Sequence, residues 1–223
     1  MKTLALSIVL STFLAPLSAR AEELNLRTVA GDDTPANRVH LTTGAEYGFV
    51  AGVGYSRILP VLDRRIVVMG DATLPWAGLD LADYRVRAGV LVPIVGKGGW
   101  QLAGALQPSV RGNHTKMNSM TDVGLDTSLR AGYYARRWFV ALESGVDLAL
   151  STHVTHTDAY RMNHAGAKDG WYADPGANIR GGAQAGISID RYDVTLRVGQ
   201  VRDSAGEAPV LPFYGTLSVA AGW

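Results

Sequence analysis

Residues 138–150 read WFVALESGVDLAL, and nearly every second side chain is apolar. Trp138, Val140, Leu142, Val146, Leu148 and Leu150 share one face, interrupted only by Ser144. Phe139, Ala141, Glu143, Gly145, Asp147 and Ala149 share the other. Successive side chains of an extended strand point to opposite sides, so this stretch is a strand with one apolar face. The same period recurs at 84–94, 123–133 and 179–189, each time opposing an apolar face to one of glycine, small polar and charged residues. Such alternation runs for roughly ten to fourteen residues, against about five or six in a soluble strand. That is the length a tilted strand needs to cross a bilayer. A closed barrel is the β structure that leaves no unpaired edge in lipid. The expected fold is therefore an all-β, transmembrane, antiparallel up-and-down barrel, apolar outside and polar within.

Ten strands are predicted, at 23–30, 40–56, 64–75, 82–94, 99–111, 121–134, 137–150, 177–189, 192–202 and 211–223. The first is the shortest, and the alternative is an eight-stranded barrel with an N-terminal plug. Connections 57–63, 95–98, 135–136 and 190–191 are mostly tight, whereas 31–39, 76–81, 112–120, 151–176 and 203–210 are mostly longer and more polar. Membrane barrels have short periplasmic turns and longer external loops, which assigns the two sets. Tyr55, Trp100, Tyr133, Trp138, Tyr192 and Trp223 then fall near periplasmic ends, and Trp76, Tyr84 and Phe213 near external ends. Rings at both interfaces suit that topology.

Residues 1–21 carry Lys2, a short apolar core broken by Pro16, and Ala19-Arg20-Ala21. This is the pattern of an export signal peptide, with cleavage expected after Ala21. The remaining single domain, 22–223, loses Lys2 and Arg20, so the formal charge of +1 becomes 19 basic against 20 acidic residues, or −1. A balanced charge argues against nucleic acid as a partner. The chain has no cysteine, which excludes disulfides and thiol chemistry.

In the last segment Phe213, Leu217, Val219, Ala221 and Trp223 alternate with Tyr214, Thr216, Ser218, Ala220 and Gly222, ending on an aromatic residue. This resembles the C-terminal signature of bacterial outer-membrane β-barrel proteins. The resemblance implies an outer-membrane location, membrane lipid and lipopolysaccharide as neighbours, and the β-barrel assembly machinery as a partner in biogenesis.

The inward set contains Glu46, Asp71, Asp83, Arg85, Arg87, Arg111, Asp122, Asp126, Arg130, Glu143, Asp147, Arg180 and Arg197. Charges in a narrow barrel are costly unless paired or hydrated, so they should form an ion network. Expected pairs are Asp71 with Arg85 or Arg87, Arg130 with Glu143, and Asp147 with Arg180. The second reading is a narrow solute channel lined by mixed charge.

The 151–176 loop, STHVTHTDAYRMNHAGAKDGWYADPG, is the largest connection. Asp158, Tyr160, Trp171 and Tyr172 make it the candidate recognition surface of a structural or binding protein, its ligand unidentified. His153, His156 and His164 are candidate metal ligands. His153 and His156 are three apart and should face opposite ways, His153 into the barrel mouth and His156 outward. A third reading is a rim hydrolase using Ser151, His153 and Asp158, though no motif fixes their geometry. The sequence has no phosphate-cradling loop, dinucleotide fingerprint, zinc-protease helix or nucleophile elbow, and no cofactor is expected.

Overall fold

The computed structural model describes residues 25, 26, 29, 35–46, 48–62, 64–76, 82–173, 176–204 and 211–223. The predicted signal peptide lies outside them. The elements are β1 (Asn37–Ala45), β2 (Phe49–Val61), β3 (Arg64–Pro75), β4 (Tyr84–Lys97), β5 (Trp100–His114), β6 (Asn118–Tyr134) and β7 (Trp138–His156), then α1 (Asp158–Asn163), β8 (Gly170–Tyr172), β9 (Ala177–Ile189), β10 (Tyr192–Asp203) and β11 (Phe213–Gly222). Each long strand pairs antiparallel with the next, β7 pairs with β9, and β11 returns to β1. The result is a closed ring of ten strands. The three-residue β8 stands outside the ring, paired to the far end of β7.

The register sets the barrel's tilt. From Thr42 the paired row runs through Gly52, Thr73, Arg85, Arg111 and Asp122 to Thr152 on β7. In the other direction it runs through Ser218, Thr195 and Gly186 to Phe139 on the same strand. The arrivals differ by 13 residues (152 less 139), one absorbed at a bulge beside Gly124. Such an offset over ten strands corresponds to a tilt of roughly 40°. Rows therefore climb from β1 to β7, and the wall is tallest at β6 and β7.

Burial is inverted relative to a water-soluble protein. Arg85 and Arg197 are 0% exposed, whereas Leu41 is 63%, Leu142 68% and Phe49 72% exposed on the outer wall. Aromatic rings gather in two belts. At the end with tight turns, Tyr133 packs between Trp100 (5.7 Å) and Trp138 (5.6 Å), and Tyr55 faces Trp223 at 6.4 Å. At the loop end Phe49, Trp76, Tyr84 and Phe213 line the side of the wall from β11 to β4. About 3.3 Å per residue at that tilt puts the belts roughly 25 Å apart.

Ten strands were expected, but two segments differ. Of the segment 23–30 only Asn25, Leu26 and Val29 are among the described residues, and none of them is in a strand: Leu26 and Val29 are helical and fully buried, packed with Ile58, Val67, Met69, Leu91 and Phe139 in the turn-end half of the barrel. The Asn25 side chain anchors them, donating to the Ala135 carbonyl and the Ser188 hydroxyl at 3.1 and 3.0 Å. The tenth strand comes instead from 40–56, which is two strands, β1 and β2, joined by a tight turn at 46–48. Gly44, with φ +152°, adopts backbone that a side chain disfavours just before this turn. Of the expected 31–39 loop, the described residues 35–39 are accordingly not at the loop end. Asn37 and Arg38 lie at the turn end, where Asn37 exchanges backbone hydrogen bonds with Trp223. The plug of the eight-strand alternative and the ten strands of the leading one occur together.

Candidate functional site: the charged interior and the finger above it

Above the apolar plug the interior is a layer of ion pairs. Arg87 grips Asp71 on the neighbouring strand, Nε at 2.9 Å and NH2 at 2.6 Å to Oδ1. Arg111 meets Asp147 at 2.8 Å, and Arg85 lies 3.3 Å from both Asp126 and Asp147. Arg180 binds Asp126 through both terminal nitrogens, at 3.0 and 2.5 Å. Arg197 does the same for Glu143 through Nε (3.2 Å) and NH2 (2.6 Å), and the Tyr214 hydroxyl also donates to Glu143. Bidentate guanidinium–carboxylate geometry is the strongest form of such pairing, as burial requires.

The Asp71 pairing thus falls on Arg87, and Arg130 stands beside Glu143 as expected, while Asp147 and Arg180 take other close partners. Arg130 Nε is 4.0 Å from Glu143, whose close partner is Arg197, and Asp147 pairs with Arg111 while Arg180 takes Asp126. The displaced guanidiniums reach across an intervening strand. Arg180 on β9 crosses β7 at Gly145, where an added Cβ would lie 2.7 Å from NH2 and 2.9 Å from Nε. Tyr214 crosses β10 and β9 over Gly199 and Gly182 to reach Glu143. Inward glycines are the channels through which long side chains run. Nearest-strand reasoning could not anticipate that, although the glycine-rich face was visible.

The remaining predicted interior acids stand apart from this layer. Glu46, fully buried in the β1–β2 turn, makes no hydrogen bond through either oxygen among the described residues but shares the field of Arg87 and Arg85. Asp122 accepts from the Thr152 hydroxyl at 2.6 Å, and Asp83 accepts from the His114 backbone N–H at 2.7 Å. One pair escaped the sequence reading: Arg38 binds Asp193 near the turn end. The misplaced 31–39 loop had put Arg38 at the opposite end.

Past the upper belt, β6 and β7 continue as a finger that carries α1 and β8. The finger is tied at Asp169, whose Oδ1 accepts the His156 backbone N–H (2.9 Å) and faces His156 Nδ1 (3.0 Å), while Oδ2 pairs with Arg161. The His156 backbone N–H, then its ring, holds the Asp169 carboxyl below its ordinary value. Thr157 caps α1, accepting from the Tyr160 N–H, and bonds the Met117 carbonyl through its own N–H.

The candidate histidines are spread over this finger. His156, Tyr160 and His164 form a near-parallel column with ring centroids 4.9 and 4.2 Å apart, so a tyrosine separates the two imidazoles. His153 instead packs edge-on against Trp171 at 5.1 Å. Among the described residues no three histidines or carboxylates come together as a metal centre. The facing is also opposite to expectation. The bulge opposite Val123 and Gly124 leaves Leu150 unpaired and reverses the alternation, so Thr152 and His156 share the interior side with Asp122 while His153 faces out. The candidate rim trio does not assemble either. Ser151 donates to the Tyr172 carbonyl, His153 packs edge-on against Trp171, and Asp158 lies 3.9 Å from Arg161. Of the recognition residues, Trp171 is 61% and Tyr172 43% exposed, and Tyr160 is locked between the two rings.

Fold and interior together define a closed, ten-stranded antiparallel β-barrel filled by an ion network above an apolar plug. No protein-family model matches the chain, and no curated protein is significantly similar to it.

Proposed function

We propose that the chain is an integral β-barrel of a bacterial outer membrane that serves as a non-conducting scaffold for its external finger. The observation that carries this reading is the inversion of burial, with arginines inside and leucines outside between two aromatic belts. Only a medium without water makes such a wall favourable, and closure of the ring leaves no backbone edge in it. On this reading residues 1–21 are an export leader cleaved after Ala21, the segment ending at Trp223 is read by the barrel assembly machinery, and the belts rest at the two interfaces. The end with tight turns is periplasmic and the finger is external.

Two fillings oppose conduction. Arg85, Arg87, Arg130 and Arg197 are at most 1% exposed, and Leu26 and Val29 pack beneath them. What remains free for a partner is the finger, with Trp171 and Tyr172 on its surface and Asp169 stiffening its base. Aromatic anchors on a rigid support are the usual centre of a binding surface. The mature protein should require detergent for extraction and float with liposomes. A mature chain that stays soluble without detergent reverses inside and outside and ends the proposal. In planar bilayers it should be silent, and steady unitary conductance would overturn the closed-scaffold part alone.

A further inference from the structure

A groove of about 600 Å³ crosses the outer wall diagonally over β4 to β9. Ile94, by the turn-end belt, closes one end and Ile179, near the loop end, the other; Val92, Leu129 and Val146 form its sides. The register explains why it exists. The paired row Val92, Gly104, Leu129, Ser144, Gly181 has almost no side-chain bulk at three of its five outward positions. The volume lies within the range of small-molecule sites. Its length, from the row heights, is roughly 20 Å, close to the height of the apolar wall.

The upper end is marked by charge. Ile179 pairs in register with Arg202 on β10. Arg202 shares the outward side with Val198 and Gln200, is exposed, and has no carboxylate partner among the described residues. A long apolar slot leading down from one uncompensated guanidinium at the rim is complementary to an amphiphile with an anionic head and a hydrocarbon tail. Guanidinium is also the side chain best matched to phosphate oxygens.

We propose that this groove seats one anionic lipid of the external leaflet, its phosphate on Arg202 and one acyl chain along the slot to Ile94. This rests on the membrane reading above. The Ser144 hydroxyl, which makes no hydrogen bond among the described residues, lies under the chain at mid-depth. The site therefore discriminates by headgroup charge and chain length rather than by polar contacts along the chain.

The mature full-length protein, reconstituted in phosphatidylcholine vesicles doped with phosphatidylglycerol carrying a diazirine in its acyl chain, tests the proposal. After photolysis, labels mapped by mass spectrometry should concentrate several-fold on residues 102–106, 127–129 and 144–146 over the opposite wall at Leu41, Val53 and Leu217. Arg202→Ala should reduce that ratio towards one. Gly104→Leu should abolish it by filling the slot, and the barrel accommodates this change because the nearest atoms to a Cβ there are the Ile94 and Leu129 side-chain tips, at 3.4 and 3.5 Å, and the Ser128 carbonyl at 3.8 Å, all ordinary contacts. Uniform labelling around the wall, or a ratio that Arg202→Ala leaves unchanged, overturns the site while leaving the membrane reading intact. A protein that neither floats with the vesicles nor takes up label overturns both.

Discussion

Arg180 on β9 holds Asp126 on β6 across the whole width of β7, NH2 to Oδ1 at 2.5 Å. The strand between them contributes Gly145 at the crossing point, and that glycine is what lets the guanidinium lie flat on the wall.

Gly145→Val should separate the pair without touching either charged residue. The new side chain would meet the guanidinium and the Thr127 carbonyl, so Arg180 must lift away from Asp126. Breaking a buried pair costs about 3–5 kcal/mol, because the groups left behind are desolvated. Urea unfolding of the reconstituted protein, followed by tryptophan fluorescence, should show a loss of at least that size, because the Thr127 carbonyl must shift as well. Unchanged stability would mean that the pair contributes nothing net.

The two members of the pair should not be equivalent. Asp126 also lies 3.3 Å from Arg85 and 3.8 Å from Arg87, so Asp126→Asn leaves three guanidiniums undercompensated. Arg180→Gln leaves Asp126 with two. The aspartate substitution should therefore be the more destabilising in the same unfolding assay, and the reverse order would contradict a shared carboxylate at the centre of the layer.

Tyr214→Phe is a milder probe. It deletes the hydroxyl that reaches Glu143 while Arg197 still grips both carboxylate oxygens. A hydrogen bond to a charged group contributes about 1.5–3 kcal/mol, and the expected loss lies in that range. Pairing Tyr214→Phe with Arg197→Gln in a double-mutant cycle should give a non-additive result, since both act on one acceptor.

How far the sequence foresaw these features depends on the length scale. The period of two exposed the barrel, the two belts and the inward acids and arginines, because each follows from strand geometry alone. It failed wherever one residue changes the phase. Glu46-Tyr47-Gly48 reads as part of a long strand, since no proline or Asn-Gly pair punctuates it, so β1 and β2 merged. The unpaired Leu150 reverses β7, so His153 and His156 exchanged sides. Leu26 and Val29 satisfy a strand and a helix almost equally well over so short a run, and burial under the barrel decided for helix. The partners of Arg180 and Tyr214 were invisible for another reason: they depend on where glycines sit on neighbouring strands.

The finger should respond to acid at a definable point. Asp169 is held below its ordinary carboxyl value, chiefly by the His156 backbone N–H, so its tie is fully present at neutral pH and lost only as pH falls through the depressed value. The protection of the finger amides, measured against their intrinsic exchange rates, should hold from neutral pH through the ordinary carboxyl range and fall only below it. Asp169→Asn should make exchange fast at neutral pH while leaving the barrel amides protected. Loosening well above the carboxyl range would overturn control by Asp169.

The plug and the ion layer occupy different heights of the same lumen, so removing one should not open the barrel. Leu26→Asp puts a charge into the cluster of Val29, Ile58, Val67 and Met69, where nothing described is positioned to pair with it. Replacing a buried leucine costs about 2–5 kcal/mol in lost packing alone, and an unpaired carboxylate adds to that, so the segment should leave the turn end. Thermal stability should fall and the residues around Asn25 should become accessible to protease. The arginines above remain bridged by Asp71, Asp126, Glu143 and Asp147, and their pairings do not pass through the plug. Single-channel recordings of Leu26→Asp should therefore be as silent as those of the unaltered protein, and a conducting variant would make the N-terminal segment the sole seal.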